Sequence, residues 1–322
     1  MLTIQNNIEL KNKTTIRLGG IAPYYLCITQ ANDLLEFQNI EAKLSIPFKI
    51  LGGGSNLIIA DTSIYPELPF GVLDIAINDE PKIQKVKNPN FPLPPLAEKA
   101  LSNNQEIFSV TVGAGYKIPS LLKLCKEQGF TGLEGLIGVP GRIGGAVSMN
   151  AGAYKTEIND VLYSITLFHK QFGIITLNRE NIHCEYRKCI PYYQDTKLTD
   201  FILISAEFLF PCINKEIVAN KIKDNLFQKK NTQPISALTA GCVFKNPINE
   251  NGEKISAGLL LEKAGLKQIH VNAMRFSPLH ASFLENTGNG QTKDALELLA
   301  LAKDKVATLF NIHLEEEVKL WI

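Results

Sequence analysis

The sequence GLEGLIGVPGRIGGAVSMNAGAY, at residues 132–154, holds seven glycines and one proline and carries charge only at Glu134 and Arg142. One regular helix or strand is not expected there, because glycine frees the backbone for positive φ and lets it approach a ligand closely. Backbone amides then become a binding surface, as they do around phosphates. A path around a phosphate-bearing ligand and a series of turns in an irregular domain explain this stretch about equally well.

A second glycine-rich run, ILGGGSNLII at residues 50–59, favours ligand binding. Its pattern predicts a strand, a glycine turn and another strand. It therefore lacks the helix that follows the glycines of a Rossmann motif and the Lys-Ser/Thr of a nucleoside triphosphate loop. What remains is a nest of backbone amides that could hold a diphosphate, with the hydroxyl of Ser55 as a further donor.

Composition excludes several classes of protein. Of the 322 residues 45% are hydrophobic and 20% charged, with a formal net charge of +1, so we expect domains with real cores and no nucleic-acid partner. The sequence shows neither a signal peptide nor an apolar run of membrane-spanning length, which predicts a cytoplasmic protein without membrane insertion. The six cysteines, including Cys184 and Cys189 beside His183, lack zinc-type spacing. We expect free thiols and no metal.

Hydrophobic spacing and turn residues divide the chain into three α+β parts. Residues 1–65 form the first part together with a last strand at 318–322, residues 66–211 form the second, and residues 212–317 form the third. Helices are predicted at 118–128 and 292–310, where apolar residues recur at helical spacing. The proline-rich region within residues 66–108 is predicted to be a surface excursion without a part in the chemistry.

Several motifs, in this order, resemble the UDP-N-acetylenolpyruvoylglucosamine reductase family. Any one glycine motif would be weak evidence, but the whole series is not expected by chance. The motifs span nearly the entire chain: Asn12-Lys13-Thr14-Thr15 with Gly19-Gly20, LGGGSNLII, the stretch at 132–154, Tyr186-Arg187, AGCVFKNP at 240–247, SAGLLLEKAGLKQ at 256–268 and LEEEV at 314–318.

The resemblance implies an α+β fold with a two-part FAD-binding module of the vanillyl-alcohol-oxidase (PCMH) type, followed by an α+β substrate-binding domain. The strand ending at Phe210 runs quickly into the next helix, so the chain is similar to the shorter subtype without a tyrosine loop. The family uses non-covalent FAD and NADPH. Cofactor contacts are expected from Gly52, Gly53, Gly54, Ser55, Asn56, Gly138, Pro140, Gly141, Gly145, Ala146 and Asn150.

The implied activity is that of a UDP-N-acetylmuramate dehydrogenase, which reduces UDP-N-acetylglucosamine-enolpyruvate during peptidoglycan precursor synthesis. Hydride adds to C3 of the enol ether, and the negative charge that develops at C2 spreads into the carboxylate. Arg187 would hold that carboxylate with two donors, and Glu317 occupies the family's second catalytic position. We expect the protein to act as a monomer.

Cys242 stands where most family members have a serine proton donor. A thiol can donate the proton because it is a far stronger acid than an alcohol. The sequence leaves open whether Cys242 donates directly or through a water, and whether it is instead a small buried residue.

Substrate contacts are expected from Tyr186, Lys229, Lys230, Lys245, Asn246 and His280. For Lys229 and Lys230, binding of the UDP diphosphate and simple complementation of a helix C-terminus remain equally open. His280 matches a contact position of the family, although a lone histidine is more often structural. Arg142 and Tyr154 are assigned neither to cofactor nor to substrate.

Two other functions are compatible with parts of this pattern. One is a flavin-dependent oxidase of an alcohol or sugar, which AGCVFKNP and Tyr186-Arg187 argue against. The other is a nucleotide-sugar-binding protein that has lost its chemistry through the serine-to-cysteine change at position 242.

Overall fold

The structure is a computed structural model that describes residues 2–87, 89, 92–248 and 252–322. Three positions of the predicted excursion, 88, 90 and 91, lie outside the described residues. Within the described ranges the α-helices are α1 (Asp33–Leu44), α2 (Pro95–Ser102), α3 (Ile118–Gln128), α4 (Ile143–Ser148), α5 (Lys215–Thr232), α6 (Ala257–Lys263) and α7 (Thr292–Phe310).

Strands in the same ranges are mostly short. They are β1 (Ile4–Glu9), β2 (Ile21–Ile28), β3 (Phe48–Leu51), β4 (Leu57–Ile59), β5 (Gly71–Ile75), β6 (Lys82–Val86), β7 (Ile107–Gly113), β8 (Gly152–Ala153), β9 (Thr156–Glu157), β10 (Leu162–His169), β11 (Gly173–Asn178), β12 (Ile182–Glu185), β13 (Lys188–Tyr193), β14 (Thr196–Lys197), β15 (Phe201–Pro211), β16 (Leu238–Cys242), β17 (His270–Val271), β18 (Met274–Phe276), β19 (Phe283–Asn286) and β20 (Lys319–Trp321).

The chain forms two compact units, each built from several segments. The first contains Leu26–Gly53 and Val72–Gln228, and the second contains Ile4–Tyr25, Gly54–Gly71 and Lys229–Ile322. The three-part division made from the sequence stays a prediction.

A five-stranded antiparallel sheet lies in the first unit, in the order β11-β10-β15-β7-β6. Its central strand β15 carries Phe208 and Phe210, both fully buried, and the ring of Phe210 stacks on Phe130 at 5.8 Å. Helix α3 has the bounds predicted from the sequence. Ile118, Leu121, Leu122 and Cys125 form its buried face, and Gly129 ends it in the left-handed conformation at φ +80°.

The prediction of a surface excursion within residues 66–108 is wrong for much of that region. Strand β5 is entirely buried, and β6 pairs with β7. Helix α2 begins at Pro95 and buries Ala97 and Ala100 against Leu93, Ile107 and Leu209. The prolines misled the prediction because proline is well tolerated at a first helical position, where its missing N–H has no intrahelical partner.

The second unit has its core between helix α7 and a four-stranded sheet in the order β16-β19-β18-β17. Helix α7 has the predicted bounds and buries one face, which includes Leu298, Ala302 and Val306. The last strand, β20, pairs in parallel with β4, so Leu320 lies opposite Ile58. No helix in the described part of the chain is long and apolar enough to cross a membrane.

Candidate active-site residues

The glycine-rich stretch at 132–154 is irregular, as predicted. It contains a 3₁₀ turn (Glu134–Leu136), then helix α4 and strand β8. Its beginning is buried, whereas Gly138, Pro140 and Gly145 are exposed and Ala146 is buried within α4.

Two glycine-rich segments approach each other closely within the first unit. A Cβ built on Gly53 would lie only 2.6 Å from the Cα of Gly141, and one on Gly52 would lie 3.9 Å from the amide nitrogen of Gly145. Gly141 also has a φ of +125°. A side chain at Gly53 would therefore separate the two backbones. At Gly145 a Cβ would meet no described atom within 4 Å. This surface of bare backbone fits the diphosphate of a dinucleotide.

Arg142 has a partner that the sequence did not reveal. Its guanidinium makes an ion pair with Asp74 on β5 and donates to the carbonyl oxygen of Ile75 at 2.7 Å. Asp74 is only 4% exposed, so it needs a cation or donors to stay charged. This pair ties the glycine-rich stretch to β5. A lone aspartate within the apolar run of β5 was the one signal of a buried partner.

Tyr154 occupies a tight turn. It and Lys155 both have positive φ, +51° and +59°, between the paired strands β8 and β9. Two successive positive-φ residues are the geometry of a type I′ hairpin turn. The backbone at Tyr154 is thus explained by the turn.

Asn150 links this stretch to the Tyr186-Arg187 hairpin. Its side chain is 1% exposed, and its amide nitrogen donates to the carboxylate of Glu157 at 2.9 Å and to the carbonyl of Glu185 at 3.1 Å. Its side-chain oxygen accepts from the backbone of Asn159 at 2.9 Å. Both donors of the amide are therefore used within the protein.

Tyr186 and Arg187 form the two-residue loop between β12 and β13. The Arg187 guanidinium carbon lies 4.9 Å from the centre of the Tyr186 ring, a cation–π arrangement. Arg187 has a φ of +60°, which is rare for a bulky residue.

The strands beside this loop correct the prediction for the cysteines. Cys184 on β12 lies opposite Cys189 on β13 with their Cα atoms 4.1 Å apart, and the two are joined by a disulfide. The expectation of free thiols is wrong for this pair because a two-residue loop sets the register that places the two cysteines face to face. Cys27, Cys125, Cys212 and Cys242 form no disulfide.

Cys242 ends strand β16 next to a β-bulge. Thr239 pairs with Glu285 and Cys242 with Phe283, so β16 contains one residue more than β19 over this interval. Gly241 precedes Cys242 with a φ of +82°. Such bulges redirect side chains and are frequent next to active sites.

Glu317 lies on a segment that is paired with the backbone beside Cys242. Its amide donates to the carbonyl of Val243 at 2.9 Å, and the amide of Lys245 donates to the carbonyl of Glu315 at 2.9 Å. The segment of Glu317 is thereby brought beside the segment that follows Cys242, although the two are far apart in sequence. The neighbouring Glu315 and Glu316 make ion pairs with Lys245 and Lys303.

The two adjacent lysines of α5 have different environments. Lys229 is 2% exposed, whereas Lys230 is exposed. Burial lowers the pKa of Lys229 to about 8, and its charge interaction with Cys242 acts in the opposite direction. Lys229 is thus an electrostatic neighbour of Cys242.

Asn246 and His280 both have structural contacts. The Asn246 side-chain oxygen accepts from the amide of Ala257, the first residue of α6, at 2.9 Å. The His280 ring packs so closely on α6 that a Cβ at Gly258 would lie 2.7 Å from it, and its Nδ1 accepts from the amide of Ser282 at 3.2 Å. Burial lowers the pKa of His280.

Gly54, Ser55 and Asn56 lie in the second unit. A Cβ on Gly54 would lie 2.0 Å from the carbonyl oxygen of Lys13, so this position requires glycine. Asn56 donates to the carbonyl of Glu317 at 3.1 Å, which attaches the glycine loop to the segment of Glu317. Thr15, of the resemblance motif, donates to the carbonyl of Thr239 at 2.7 Å.

Two family models match the chain. One, described as UDP-N-acetylenolpyruvoylglucosamine reductase, C-terminal domain, matches residues 233–321. The other, described as FAD binding domain, matches residues 97–173 and so covers the glycine-rich stretch. Together with the mixed helices and strands of the structure, this match confirms the predicted α+β fold with an FAD-binding module.

Relatives match over the whole chain. The UDP-N-acetylenolpyruvoylglucosamine reductase of Nitratidesulfovibrio vulgaris is 34% identical over 99% of this chain and 99% of its own. That of Oleidesulfovibrio alaskensis is 35% identical over 97% of this chain and 96% of its own. A crystal structure of the enzyme (MurB) from Thermus caldophilus, 28% identical, covers 100% of both chains with a TM-score of 0.74. The chain belongs to the UDP-N-acetylenolpyruvoylglucosamine reductase family.

Proposed function

We propose that this chain is an FAD-dependent oxidoreductase that reduces UDP-N-acetylglucosamine-enolpyruvate to UDP-N-acetylmuramate, with NADPH as the hydride donor. The observation that carries the proposal is the pairing of residues 243–245 with residues 315–317. This pairing supports the proposal because it joins the segments that carry Cys242 and Glu317, the residues at the family's proton-donor and glutamate positions. The monomeric state and the cytoplasmic location remain predictions from the sequence.

The backbone around Gly53 and Gly141 would hold the diphosphate of FAD, since a bare surface of amides suits an anion. Bound FAD supplies hydride to the substrate. Asn150 contributes to this region as the anchor of the β12–β13 hairpin, because its side-chain amide is already satisfied. Arg142 likewise has a supporting role, because its ion pair with Asp74 anchors the glycine-rich stretch to β5.

Side chains of the protein would stabilise the negative charge that develops on the substrate and would donate the proton. Arg187 binds the substrate carboxylate with two donors, which stabilises negative charge as it spreads from C2. Cys242 donates the proton to C2, and Glu317 orients the proton donor or a water beside it. The ammonium group of Lys229 attracts the anionic substrate, whereas Lys230 complements the C-terminus of α5.

The test begins with the purified protein. We expect a yellow protein with flavin absorbance, and NADPH oxidation that depends on UDP-N-acetylglucosamine-enolpyruvate. UDP-N-acetylglucosamine, which lacks the enolpyruvyl group, is the matched control and should give no turnover. In heavy water deuterium should appear at C2, because that position takes its proton from a group that exchanges with solvent. Oxygen consumption with a reduced alcohol or sugar, and no NADPH oxidation with the enolpyruvyl substrate, would identify an oxidase instead.

A further inference from the structure

We infer that the disulfide between Cys184 and Cys189 positions Arg187 for the reaction, so that the enzyme is more active when this pair is oxidised. The inference rests on the proposed function, because it assigns Arg187 to the substrate carboxylate. Neither cysteine would touch the substrate. Each acts through the four residues that the bond encloses, which include Arg187.

Cys184 and Cys189 lie opposite each other one residue pair away from the loop. Glu185 lies opposite Lys188, and Tyr186 and Arg187 then reverse the chain. A bond between Cys184 and Cys189 therefore closes a ring of six residues with the arginine in it. Few backbone conformations remain available to so short a closed loop.

The loop needs such a constraint because Arg187 sits in the left-handed region, at φ +60°. An arginine leaves that region readily unless its surroundings hold it there. Asn150 holds one side of the hairpin through the carbonyl of Glu185, and no described side chain other than the cystine joins the two strands covalently. With two thiols, the loop would relax and the guanidinium would spread over more positions.

The chemical step is thiol–disulfide exchange. Two cysteine thiols and one small-molecule disulfide, such as oxidised glutathione, give the protein disulfide and two small-molecule thiols. Two electrons pass to the small-molecule disulfide, and the two protons leave on the released thiols. A small dithiol reverses the exchange. In a cytoplasmic protein a disulfide of this kind is typical of redox sensing rather than of permanent support.

Thiol counting tests whether the bond forms. Protein equilibrated with oxidised glutathione and then denatured should show four reactive thiols, and six after reduction, because two of the six cysteines form the disulfide and the other four do not. Peptide mapping should place the bond between Cys184 and Cys189. Six thiols after the oxidising treatment would overturn the inference.

Turnover tests what the bond does. Reduction should lower kcat/KM of the wild type by about ten- to a hundredfold, since small displacements of a positioning group cost that much. The double variant Cys184→Ser/Cys189→Ser should show the kcat/KM of the reduced wild type under both oxidising and reducing conditions. Because it retains Cys242, it also controls for any effect of the redox buffer on that thiol. Cys212→Ser should respond like the wild type. Equal turnover of the four-thiol and six-thiol enzymes would contradict the inference.

Two further measurements separate positioning from general support. In Arg187→Ala, reduction should change turnover by less than about twofold, because the group that the disulfide positions is gone; a full loss there would mean that the bond only supports the fold. Amide hydrogen exchange across residues 184–189 should accelerate on reduction, and unchanged exchange would overturn the inference. That readout needs no turnover, so an enzyme inactive on the substrate in both buffers would refute the proposed function alone.

Discussion

The loop around Arg187 and the paired segments around Cys242 each hold a candidate reactive side chain, but by different means. The loop consists of consecutive residues, with a left-handed arginine and one covalent bond across its base. Cys242 is held by backbone hydrogen bonds between segments far apart in sequence, and its strand is anchored in the core of the second unit. A local loop can be loosened without unfolding the protein, whereas the paired segments cannot.

The largest effect is expected at Cys242. Cys242→Ala should lower kcat on the order of 10²–10⁴-fold, the range for removal of a general acid, because water must then supply the proton. Cys242→Ser should retain activity, since the bulge would place its hydroxyl at the same position. Steady-state kinetics of both variants decide the matter. Wild-type turnover in Cys242→Ala would remove the donor role.

A somewhat smaller loss is expected at the loop. Arg187→Ala should reduce kcat/KM by about 10²–10³-fold, as loss of one preorganised donor to a developing oxyanion does. Lys188→Ala is the matched control, because Lys188 is the exposed next residue on β13 and should change kcat/KM by less than about twofold. Equal losses in the two variants would show that the loop supplies only general positive charge.

The titration of Lys229 should change kcat/KM by about tenfold. Since its pKa is lowered to about 8, the ammonium is present near pH 7 and mostly absent near pH 9. In a Cys242→Ser background, where no thiol titrates at that position, kcat/KM should therefore fall as pH rises. Serine also removes the interaction that raises the pKa of Lys229, so the fall should begin below pH 8.

The matched variants carry Lys229→Met or Lys230→Met in the same background. Lys229→Met should flatten the profile at the low value, because no charge remains to be lost. Lys230→Met should keep the fall, since its side chain is exposed. A profile that stays the same in Lys229→Met would assign the pH dependence to another group.

Sequence patterns predict the features of the fold that depend on residues close together in the chain. Helices α3 and α7 have their predicted bounds because apolar spacing and a glycine or asparagine at the C-terminus are local signals. The Cys184–Cys189 hairpin was not predicted, because no local signal showed that a two-residue loop would set the two cysteines opposite each other. Cys242 and Glu317 were named only through the family resemblance, because no local signal predicts that their segments pair.

The same limit explains the contacts that the sequence did not reveal. Asp74 and Arg142 come from different elements and form their pair only in the folded chain. Asn150 stands among glycines where a ligand contact is the natural interpretation, yet its amide is buried and faces Glu157 and Glu185. A polar residue in a glycine-rich stretch can thus serve the fold that presents the backbone to a ligand.

The smallest effect on turnover is expected at Asn150. Its replacement tests whether the Arg187 loop is held by this side chain or by the disulfide. Asn150→Ala removes both donors and leaves the carbonyl of Glu185 and the carboxylate of Glu157 without them in a partly buried place. We expect a loss of about 1–3 kcal/mol in the free energy of unfolding, measured by urea denaturation. Asn220→Ala, at an exposed position of α5, should stay within about 0.5 kcal/mol of the wild type. With the Cys184–Cys189 disulfide intact, kcat should fall by less than about threefold, because the cystine still constrains Arg187. A much larger fall would mean that the loop is held mainly through Asn150 and that the disulfide contributes little.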